Sequence, residues 1–343
     1  MSGQISILII YTGGTIGMVK DPETGSLLPV DFAQISSQVP ELKRFGYQLK
    51  AITYDPPIDS SNMSPEIWVG LAGLIEEYYR SYDGFVILHG TDTMAYSASA
   101  LSFIMENLDK PVIFTGSQLP IGTLRTDGKE NLITAIEIAA ARENGLPLVP
   151  EVCIYFENAL FRGNRTHKNN AENFNAFTSD NYPVLAEAGV TIRYNHDRIR
   201  RPAENASLKV QRQFSAEIAI LKIFPGISAP VVEHILAIPT VKAVILETFG
   251  SGNAPNVPWF LQALKKAVDR GLVIMNVTQC DAGSVEMDRY ETGVELGRLG
   301  VVSGYDSTTE AAVTKLMYLF GKYGDPDLVK KFLNISLVGE ITV

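Results

Sequence analysis

The chain has 343 residues, of which 46% are hydrophobic, and this length and composition predict two globular domains with substantial cores. Its 38 acidic and 29 basic residues give a formal net charge of −9. This balance argues against a nucleic-acid partner, because no basic excess is present to neutralise phosphates. The first apolar run is too short for a signal peptide, and no stretch approaches a membrane span. Because Cys153 and Cys280 have no CxxC spacing, we expect a cytoplasmic protein with reduced thiols.

Strand-like and helix-like segments alternate along the first 192 residues. Largely apolar runs, typical of buried parallel strands, occur at residues 5–11, 85–88, 112–115 and 152–156, and the run at 85–88 is uninterrupted. Ser64-Pro65 begins a helix, with serine as the cap and proline in the first turn, and residues 131–142 form another. Residues 20–30 are polar and rich in breakers, and they predict a mobile loop.

A charged connector, residues 193–212, separates this part from a second alternating part. Its basic cluster is more typical of a solvated linker than of a phosphate site. Beyond it we predict strands at residues 218–223, 241–246 and 272–277, and helices near 229–238, 257–269 and 307–322, with a last helix beginning at 325–326. The predicted fold is therefore α/β: a larger N-terminal parallel-sheet domain (1–192) and a smaller C-terminal α/β domain (213–343).

Polar residues that follow the predicted strands form the candidate site. His89-Gly90-Thr91-Asp92-Thr93 comes directly after an apolar strand, and ligands bind at the carboxyl ends of strands in an open α/β sheet. A plain helix N-cap is an equally good interpretation of this segment alone. A threonine hydroxyl is a nucleophile only when a base takes its proton and an oxyanion site receives the charge. Asp92 and Lys168 are candidate partners for such a hydroxyl.

Common chemical motifs of other classes are missing. Gly13-Gly14-Thr15-Ile16-Gly17 is neither GxGxxG nor a P-loop, since no lysine stands where a P-loop requires one. The four histidines have no metal-ligand spacing with each other or with the cysteines. No GxSxG elbow occurs. These absences argue against nucleotide, metal and serine-hydrolase sites of the usual kinds.

Five motifs resemble those of the L-asparaginases of the bacterial cytoplasmic (type I) kind: YTGGTIG at 11–17, DSS at 59–61, LHGTDTMAY at 88–96, TGSQ at 115–118 and RGNRTHK at 162–168. The likeness covers nearly the full length, and the motifs are highly specific in combination. It implies the asparaginase/glutaminase-like pair of domains and hydrolysis of L-asparagine to L-aspartate and ammonia. It also implies a covalent acyl-threonine intermediate, formed without a metal or an organic cofactor.

The resemblance also implies roles for individual residues. Thr15 corresponds to the nucleophile, while Thr91, Asp92 and Lys168 correspond to a second, rigid catalytic set. Ser60 corresponds to the residue that binds the substrate α-carboxylate, and Asp92 also meets the α-ammonium, since a zwitterionic head group requires both kinds of partner. The implied substrate-binding residues are Asp59, Ser60, Ser61, Gly90 and Gln118.

The family relationship further implies a homodimer or homotetramer with each site completed by a neighbouring subunit. Segments 252–253 and 279–280 are the expected far wall. Two departures from the family pattern stand out. No helper tyrosine occurs between Ile16 and Pro29, where Leu27 or Leu28 stands instead. Glu247 replaces an arginine of some relatives, and we expect it to remove activation by asparagine because it repels the effector carboxylate.

Three other functions remain open on these motifs. A glutaminase-asparaginase of broader specificity differs by the recognition of one methylene. A tRNA-dependent amidotransferase subunit shares the motifs but carries an extra N-terminal domain, which the early first strand and the negative charge disfavour. A catalytically inactive amino-acid sensor is disfavoured because Thr15, Thr91, Asp92 and Lys168 are all present.

Overall fold

The computed structural model describes residues 4–20, 27–29, 32–202, 207–289 and 291–343. The chain divides into two compact units, Met1–Val210 and Gln211–Val343. Within the described ranges no helix is long and apolar enough to cross a membrane.

The described α-helices are α1 (Phe32–Gln38), α2 (Pro65–Tyr78), α3 (Met94–Ile104), α4 (Gly128–Ala140), α5 (Ala229–Ala237), α6 (Pro258–Asp269), α7 (Glu291–Arg298), α8 (Thr309–Tyr323) and α9 (Pro326–Leu333). Short 3₁₀ helices occur at Thr15–Gly17, Pro40–Arg44, Ser60–Asn62 and Gly163–Arg165.

The described strands are β1 (Ser6–Tyr11), β2 (Met18–Lys20), β3 (Leu27–Pro29), β4 (Gln48–Thr53), β5 (Gly84–Leu88), β6 (Met105–Glu106), β7 (Val112–Thr115), β8 (Arg142–Glu143), β9 (Leu146–Pro147), β10 (Val152–Phe156), β11 (Ala159–Arg162), β12 (His167–Lys168), β13 (Phe177–Thr178), β14 (Ala186–Ala188), β15 (Ile192–Tyr194), β16 (Lys209–Val210), β17 (Ile218–Lys222), β18 (Ala243–Thr248), β19 (Val273–Thr278) and β20 (Val302–Ser303).

The first unit is built on an eight-stranded sheet in the order β15-β14-β11-β10-β7-β5-β1-β4. Strands β4, β1, β5, β7 and β10 pair in parallel, whereas β11, β14 and β15 are antiparallel additions at one edge. All five residues of β5 are buried, as its unbroken apolar run predicts. The register sets Tyr11 beside Leu88 and Leu88 beside Thr115. The loops that follow these three strands therefore lie side by side at one edge of the sheet.

Two segments differ from their sequence-based prediction. The stretch predicted as a linker, 193–212, contains the last two residues of β15, an edge strand of the large sheet, and all of β16, which pairs with β6. These strands have only three and two residues, so their apolar signal is weak. The predicted loop at 20–30 is bounded by an antiparallel hairpin of β2 and β3. Residues 21–26 and 30 of that loop lie outside the described residues.

The second unit contains a parallel four-stranded sheet in the order β17-β18-β19-β20. Strands β18 and β19 are buried throughout, and their observed bounds lie one or two residues beyond the predicted ones. Helix α8 begins after Thr308, whose side chain accepts a hydrogen bond from the Ala311 N–H. Helix α9 begins with Pro326 after an Asp325 cap. Both helices begin within two residues of the positions that the sequence predicts.

Candidate active site

Two glycines bring Thr15 into the site region. After β1 the backbone turns through Gly13 and Gly14, at φ values of 138° and 97° that disfavour other residues. A Cβ on Gly13 would lie 2.1 Å from the Ile58 carbonyl oxygen, and one on Gly14 would lie 2.6 Å from the Gly90 Cα. Only glycine therefore lets the turn pack directly against Gly90. Thr15 opens the next 3₁₀ helix, and among the described residues its hydroxyl has no hydrogen-bond partner.

Lys168 joins two of the predicted catalytic residues. Its Nζ donates hydrogen bonds to Thr91 Oγ1 at 2.9 Å and to Asp92 Oδ1 at 2.7 Å. The Lys168 side chain is 16% exposed and that of Asp92 is 68% exposed. An ammonium group has three donors and no acceptor, so this geometry is that of a lysine ordering a hydroxyl and a carboxylate. Thr91 Oγ1 in turn lies 3.4 Å from Gln118 Oε1.

The Thr91 backbone amide is a further feature of this cluster. Thr91 is buried, yet no group among the described residues accepts a hydrogen bond from its N–H. Buried backbone donors are rarely left unpaired in native proteins. An unpaired N–H beside a candidate catalytic hydroxyl is suited to bind a developing oxyanion. Side-chain motifs alone could not reveal this donor.

A buried ion pair holds the segment that carries Lys168. Arg162 donates to both Glu151 oxygens, at 2.7 and 3.2 Å, and its guanidinium lies over the Tyr182 ring. Burial lowers the pKa of Arg162, but the charge and hydrogen bonds of Glu151, together with the interactions of Tyr182, more than offset burial and raise that pKa above its usual value. Thr166 then donates to the Arg162 carbonyl at 2.7 Å. This network fixes the backbone just before Lys168.

Ser60 and Gly90 are in direct contact. A Cβ added to Gly90 would lie only 2.4 Å from Ser60 Oγ, and Thr93 Oγ1 donates to the Ser60 carbonyl at 2.6 Å. Asp59 caps the short helix beneath them, with its Oδ1 accepting from the Ser61 N–H at 2.9 Å. Ser60 is buried, whereas Asp59 and Ser61 are exposed. The structure thus brings the predicted DSS motif against the predicted HGTDT motif.

Asp127 holds the loop that carries Gln118, a role the sequence motifs did not reveal. Its carboxylate accepts hydrogen bonds from the backbone N–H groups of Gln118 and Leu119. Burial raises the pKa of Asp127, and these N–H donors oppose that rise. The Gln118 side-chain amide donates to the Asn173 carbonyl at 3.0 Å. Its side-chain oxygen therefore faces Thr91 in a fixed orientation.

In the second unit, the Glu247 carboxylate is engaged by its neighbours. It accepts a hydrogen bond from Thr309 Oγ1 at 2.9 Å and lies 3.3 Å from Lys222 Nζ. Gln279 donates to the Glu247 carbonyl at 2.7 Å. The Gly252 carbonyl accepts from the Asn276 side chain at 3.0 Å. The segments predicted as a far wall are thus ordered within their own unit.

Comparison with known proteins decides the family. The family model described as Asparaginase, N-terminal, matches residues 6–200, and the Glutaminase/Asparaginase C-terminal domain matches residues 217–333. This chain belongs to the asparaginase family. It is 46% identical to L-asparaginase 1 of Escherichia coli (strain K12), over 98% of each chain. It is 42% identical to a human 60 kDa lysophospholipase, over 98% of this chain but 61% of that protein.

Solved structures of the asparaginase family agree with the fold. The crystal structure of L-asparaginase I from Vibrio cholerae is similar with a TM-score of 0.90 and 44% identity, covering 99% of this chain and 100% of that one. The predicted fold, a larger N-terminal domain with a mainly parallel sheet and a smaller C-terminal α/β domain, is confirmed. The backbone of Leu27 and Leu28, in the region where the resemblance implies a helper tyrosine, belongs to β3, but the structure does not describe their side chains.

Proposed function

We propose that this chain hydrolyses the side-chain amide of L-asparagine to L-aspartate and ammonia. The observation that carries the proposal is the contact of Lys168 with both Thr91 and Asp92, next to the glycine turn that leads to Thr15. Membership of the asparaginase family and 46% identity to the Escherichia coli L-asparaginase 1 support it.

In the first step, the Thr15 hydroxyl oxygen attacks the carbonyl carbon of the substrate side chain. The hydroxyl proton is transferred to the amide nitrogen, and the amide oxygen becomes an oxyanion that accepts a hydrogen bond from the Thr91 N–H. The C–N bond then breaks as the carbonyl re-forms, and the protonated nitrogen departs as ammonia. The product of this step is an aspartyl ester of Thr15.

In the second step, water hydrolyses the ester. Thr91 is suited to orient this water, because Lys168 and Gln118 hold its hydroxyl. Attack of the water oxygen breaks the acyl–oxygen bond, releases aspartate and returns a proton to Thr15. Lys168 acts in this scheme as an ammonium that orders Thr91 and Asp92 electrostatically.

The substrate head group has partners of both required kinds. Asp92 Oδ1 is bonded to Lys168, while most of the carboxylate is exposed and available to the α-ammonium. Ser60, packed against Gly90, supplies a hydroxyl for the α-carboxylate. Asp59, Ser61, Gly90 and Gln118 complete the proposed binding set. Charge-assisted hydrogen bonds of this kind give both affinity and orientation.

The proposal includes a cytoplasmic location, no metal or organic cofactor, and a homodimer or homotetramer as the active form. A site completed by a second subunit would make activity depend on protein concentration near the dissociation constant. Sedimentation at assay concentrations tests this point, and a fully active monomer would refute the assembly.

Ammonia release from purified protein is the direct test of function. We expect turnover of L-asparagine with EDTA present, slower turnover of L-glutamine, and loss of activity in Thr15→Ala. A pocket that distinguishes one methylene yields about 10–200-fold discrimination. Equal turnover of both amides would favour the broader glutaminase-asparaginase, and binding without turnover would favour the sensor.

The relationship to the human 60 kDa lysophospholipase gives a second candidate, hydrolysis of a lysophospholipid ester. The site described above favours a small zwitterion, because the residues that surround Thr91 are polar side chains and backbone groups. Fatty-acid release from lysophosphatidylcholine, compared in wild type and Thr15→Ala, separates the two. A Thr15-dependent release faster than ammonia release from asparagine would select the lipid activity.

A further inference from the structure

His89 lies at the end of β5 in a fully buried chain of hydrogen bonds. Its Nδ1 is 2.6 Å from the Gly90 carbonyl oxygen, and its Nε2 is 2.9 Å from Ser97 Oγ. The indole N–H of Trp68 donates to the same Ser97 oxygen at 2.9 Å. His89 and Ser97 have no exposed surface. The chain therefore runs from α2 through α3 to the peptide that precedes Thr91.

The partners determine where the protons lie. An indole N–H can only donate, and a carbonyl oxygen can only accept. The Nδ1 of His89 must therefore carry a proton toward Gly90. The Ser97 hydroxyl oxygen accepts a hydrogen bond from the Trp68 indole N–H. The Ser97 hydroxyl can then donate its own proton to His89 Nε2, so Nε2 carries no proton. Burial, opposed by the bond to Gly90, lowers the pKa of His89 to about 4, so the imidazole is neutral at pH 7.

This bond fixes the peptide between Gly90 and Thr91. In a trans peptide the C=O and the following N–H point in opposite directions, so a carbonyl held toward His89 turns the Thr91 N–H away from the imidazole. Gly90 is also confined by Ser60 on one side and Gly14 on the other. The orientation of this peptide thus determines the direction of the Thr91 N–H and the position of the residue that carries the Thr91 hydroxyl, and the proposed reaction uses both groups.

We propose that His89 is a positioning residue for the amide hydrolysis, holding the Gly90–Thr91 peptide through a proton on Nδ1 that Ser97 and Trp68 keep in place. This inference rests on the proposed function. It gives a role to His89, a residue of the motif at 88–96 to which the family resemblance assigns none. The competing interpretation is a core histidine whose hydrogen bonds serve stability alone. The two interpretations predict different values of kcat when the hydrogen-bond chain is broken at a residue that does not contact Gly90. A positioning role predicts a lower kcat, and a purely stabilising role predicts an unchanged kcat.

Ser97→Ala breaks the chain without touching the peptide. We expect kcat to fall about 10–100-fold with KM within about 2-fold, because small displacements of catalytic groups cost rates of this order. Ser102→Ala is the matched control, since Ser102 is also a buried serine of α3 but donates to the Ala98 carbonyl. An unchanged kcat in folded Ser97→Ala overturns the proposal, as does an equal loss in Ser102→Ala.

Two substitutions of His89 test the proton itself. His89→Asn places an amide N–H near the position of Nδ1, whereas His89→Gln places one near Nε2. We expect His89→Asn to keep a kcat at least 10-fold above that of His89→Gln. Equal kcat in the two folded variants contradicts the proposal.

The tautomer can be measured in the wild-type protein even if the variants fail to fold. Nitrogen-15 NMR of labelled histidine at pH 7 should show a protonated Nδ1 and an unprotonated Nε2 for His89. A protonated Nε2 overturns the proposal whatever the substrate is. Absence of ammonia release from wild type, by contrast, refutes the proposed function and leaves the NMR result intact, so the two failures are distinguishable.

Discussion

Lys168 is the residue at which two parts of the proposed site converge. It is separated by 77 residues from Thr91 along the chain, yet its ammonium bonds to both Thr91 and Asp92. Because Asp92 is mostly exposed, water can solvate its carboxylate if the lysine is removed. The pair therefore matters more to the orientation of Thr91 than to the stability of the fold.

Lys168→Met separates these two roles. We expect a fall in kcat of about 10²–10⁴-fold and a free energy of unfolding within about 1 kcal/mol of wild type. Lys129→Met is the control, since Lys129 makes a half-exposed ion pair with Glu41 outside the site. Steady-state kinetics and urea unfolding measure the two quantities. A near-normal kcat in Lys168→Met would make this lysine structural.

Gly90→Ala tests the contact with Ser60. The added methyl carbon would lie 2.4 Å from Ser60 Oγ, closer than atoms can approach, so either Ser60 or the 89–92 loop must move. We expect KM for asparagine to rise and kcat to fall, with kcat/KM at least 100-fold lower. Gly46→Ala is the control, because its methyl would meet nothing within 4 Å. A kcat/KM of Gly90→Ala near that of wild type would show that Ser60 is not placed by this contact.

At the scale of elements, the sequence predicts the strands that build the site edge but not the groups that brace it. β1, β5 and β7 are largely apolar because both their faces are buried. The polar loops that follow these parallel strands therefore meet at one edge of the sheet. β4 escaped prediction because its outer residues, Gln48 and Lys50, are exposed and interrupt the pattern. Arg193 and Tyr194 of β15 were assigned to the linker for a similar reason, because Arg193 is exposed.

The bracing residues are invisible to local patterns. Glu151 contacts Arg162, and Asp127 contacts the Gln118 N–H, only once the chain has folded. Neither acidic residue belongs to a sequence motif whose spacing would predict its contact. His89 could be excluded as a metal ligand by spacing, but its bonds to Ser97 and Gly90 required the packing of α3 on the sheet. Sequence reasoning thus identified the candidate reactive groups, and the structure identified what orders them.

Lys315 of helix α8 forms a buried ion pair with Glu340 in the second unit. Lys315 Nζ lies 2.7 Å from Glu340 Oε1, and both side chains have no exposed surface. Lys315 also donates to the Leu333 and Ile335 carbonyls, and Glu340 accepts from backbone N–H groups, including that of Val338. Burial lowers the pKa of Lys315, and Glu340 opposes that change.

Removing one partner of this pair leaves a buried charge uncompensated. We expect Lys315→Met to lower the free energy of unfolding by about 3–5 kcal/mol, measured by urea denaturation. Adding Glu340→Gln should recover part of the loss, because the remaining charge is then removed. Lys265→Met, which breaks an exposed pair on α6, should cost less than about 1 kcal/mol. A loss in Lys315→Met as small as that of the control would contradict the argument.

At the scale of the whole molecule, we expect Glu247 of the second unit to decide whether asparagine activates the enzyme. The Glu247 carboxylate accepts a hydrogen bond from Thr309 and pairs with Lys222, whereas the asparaginase resemblance implies an arginine near this position in some relatives. An incoming amino acid would meet charge repulsion from Glu247. Such repulsion favours an enzyme in which asparagine binds to each active site without cooperativity.

We therefore expect a hyperbolic or only weakly sigmoidal saturation curve for asparagine. Initial rates over a wide range of asparagine concentration measure the shape, with Glu247→Ala as the comparison. Glu233→Ala, a change on α5, serves as a control for loss of an acidic side chain. A strongly sigmoidal curve that is unchanged in Glu247→Ala would show that an effector uses another site.

The central claim is that Thr15 carries the acyl group while Thr91 assists its hydrolysis. Thr15 and Thr91 each follow a glycine, and these two glycines contact each other. Removal of either hydroxyl should lower kcat by several powers of ten, so steady-state rates cannot separate the two roles. Thr91→Val should slow the second step and accumulate the ester. Acid quench of this variant with asparagine, followed by peptide mass analysis, should find the added aspartyl mass on the peptide that contains Thr15. The same mass on Thr91 in a Thr15→Ala protein would contradict the account.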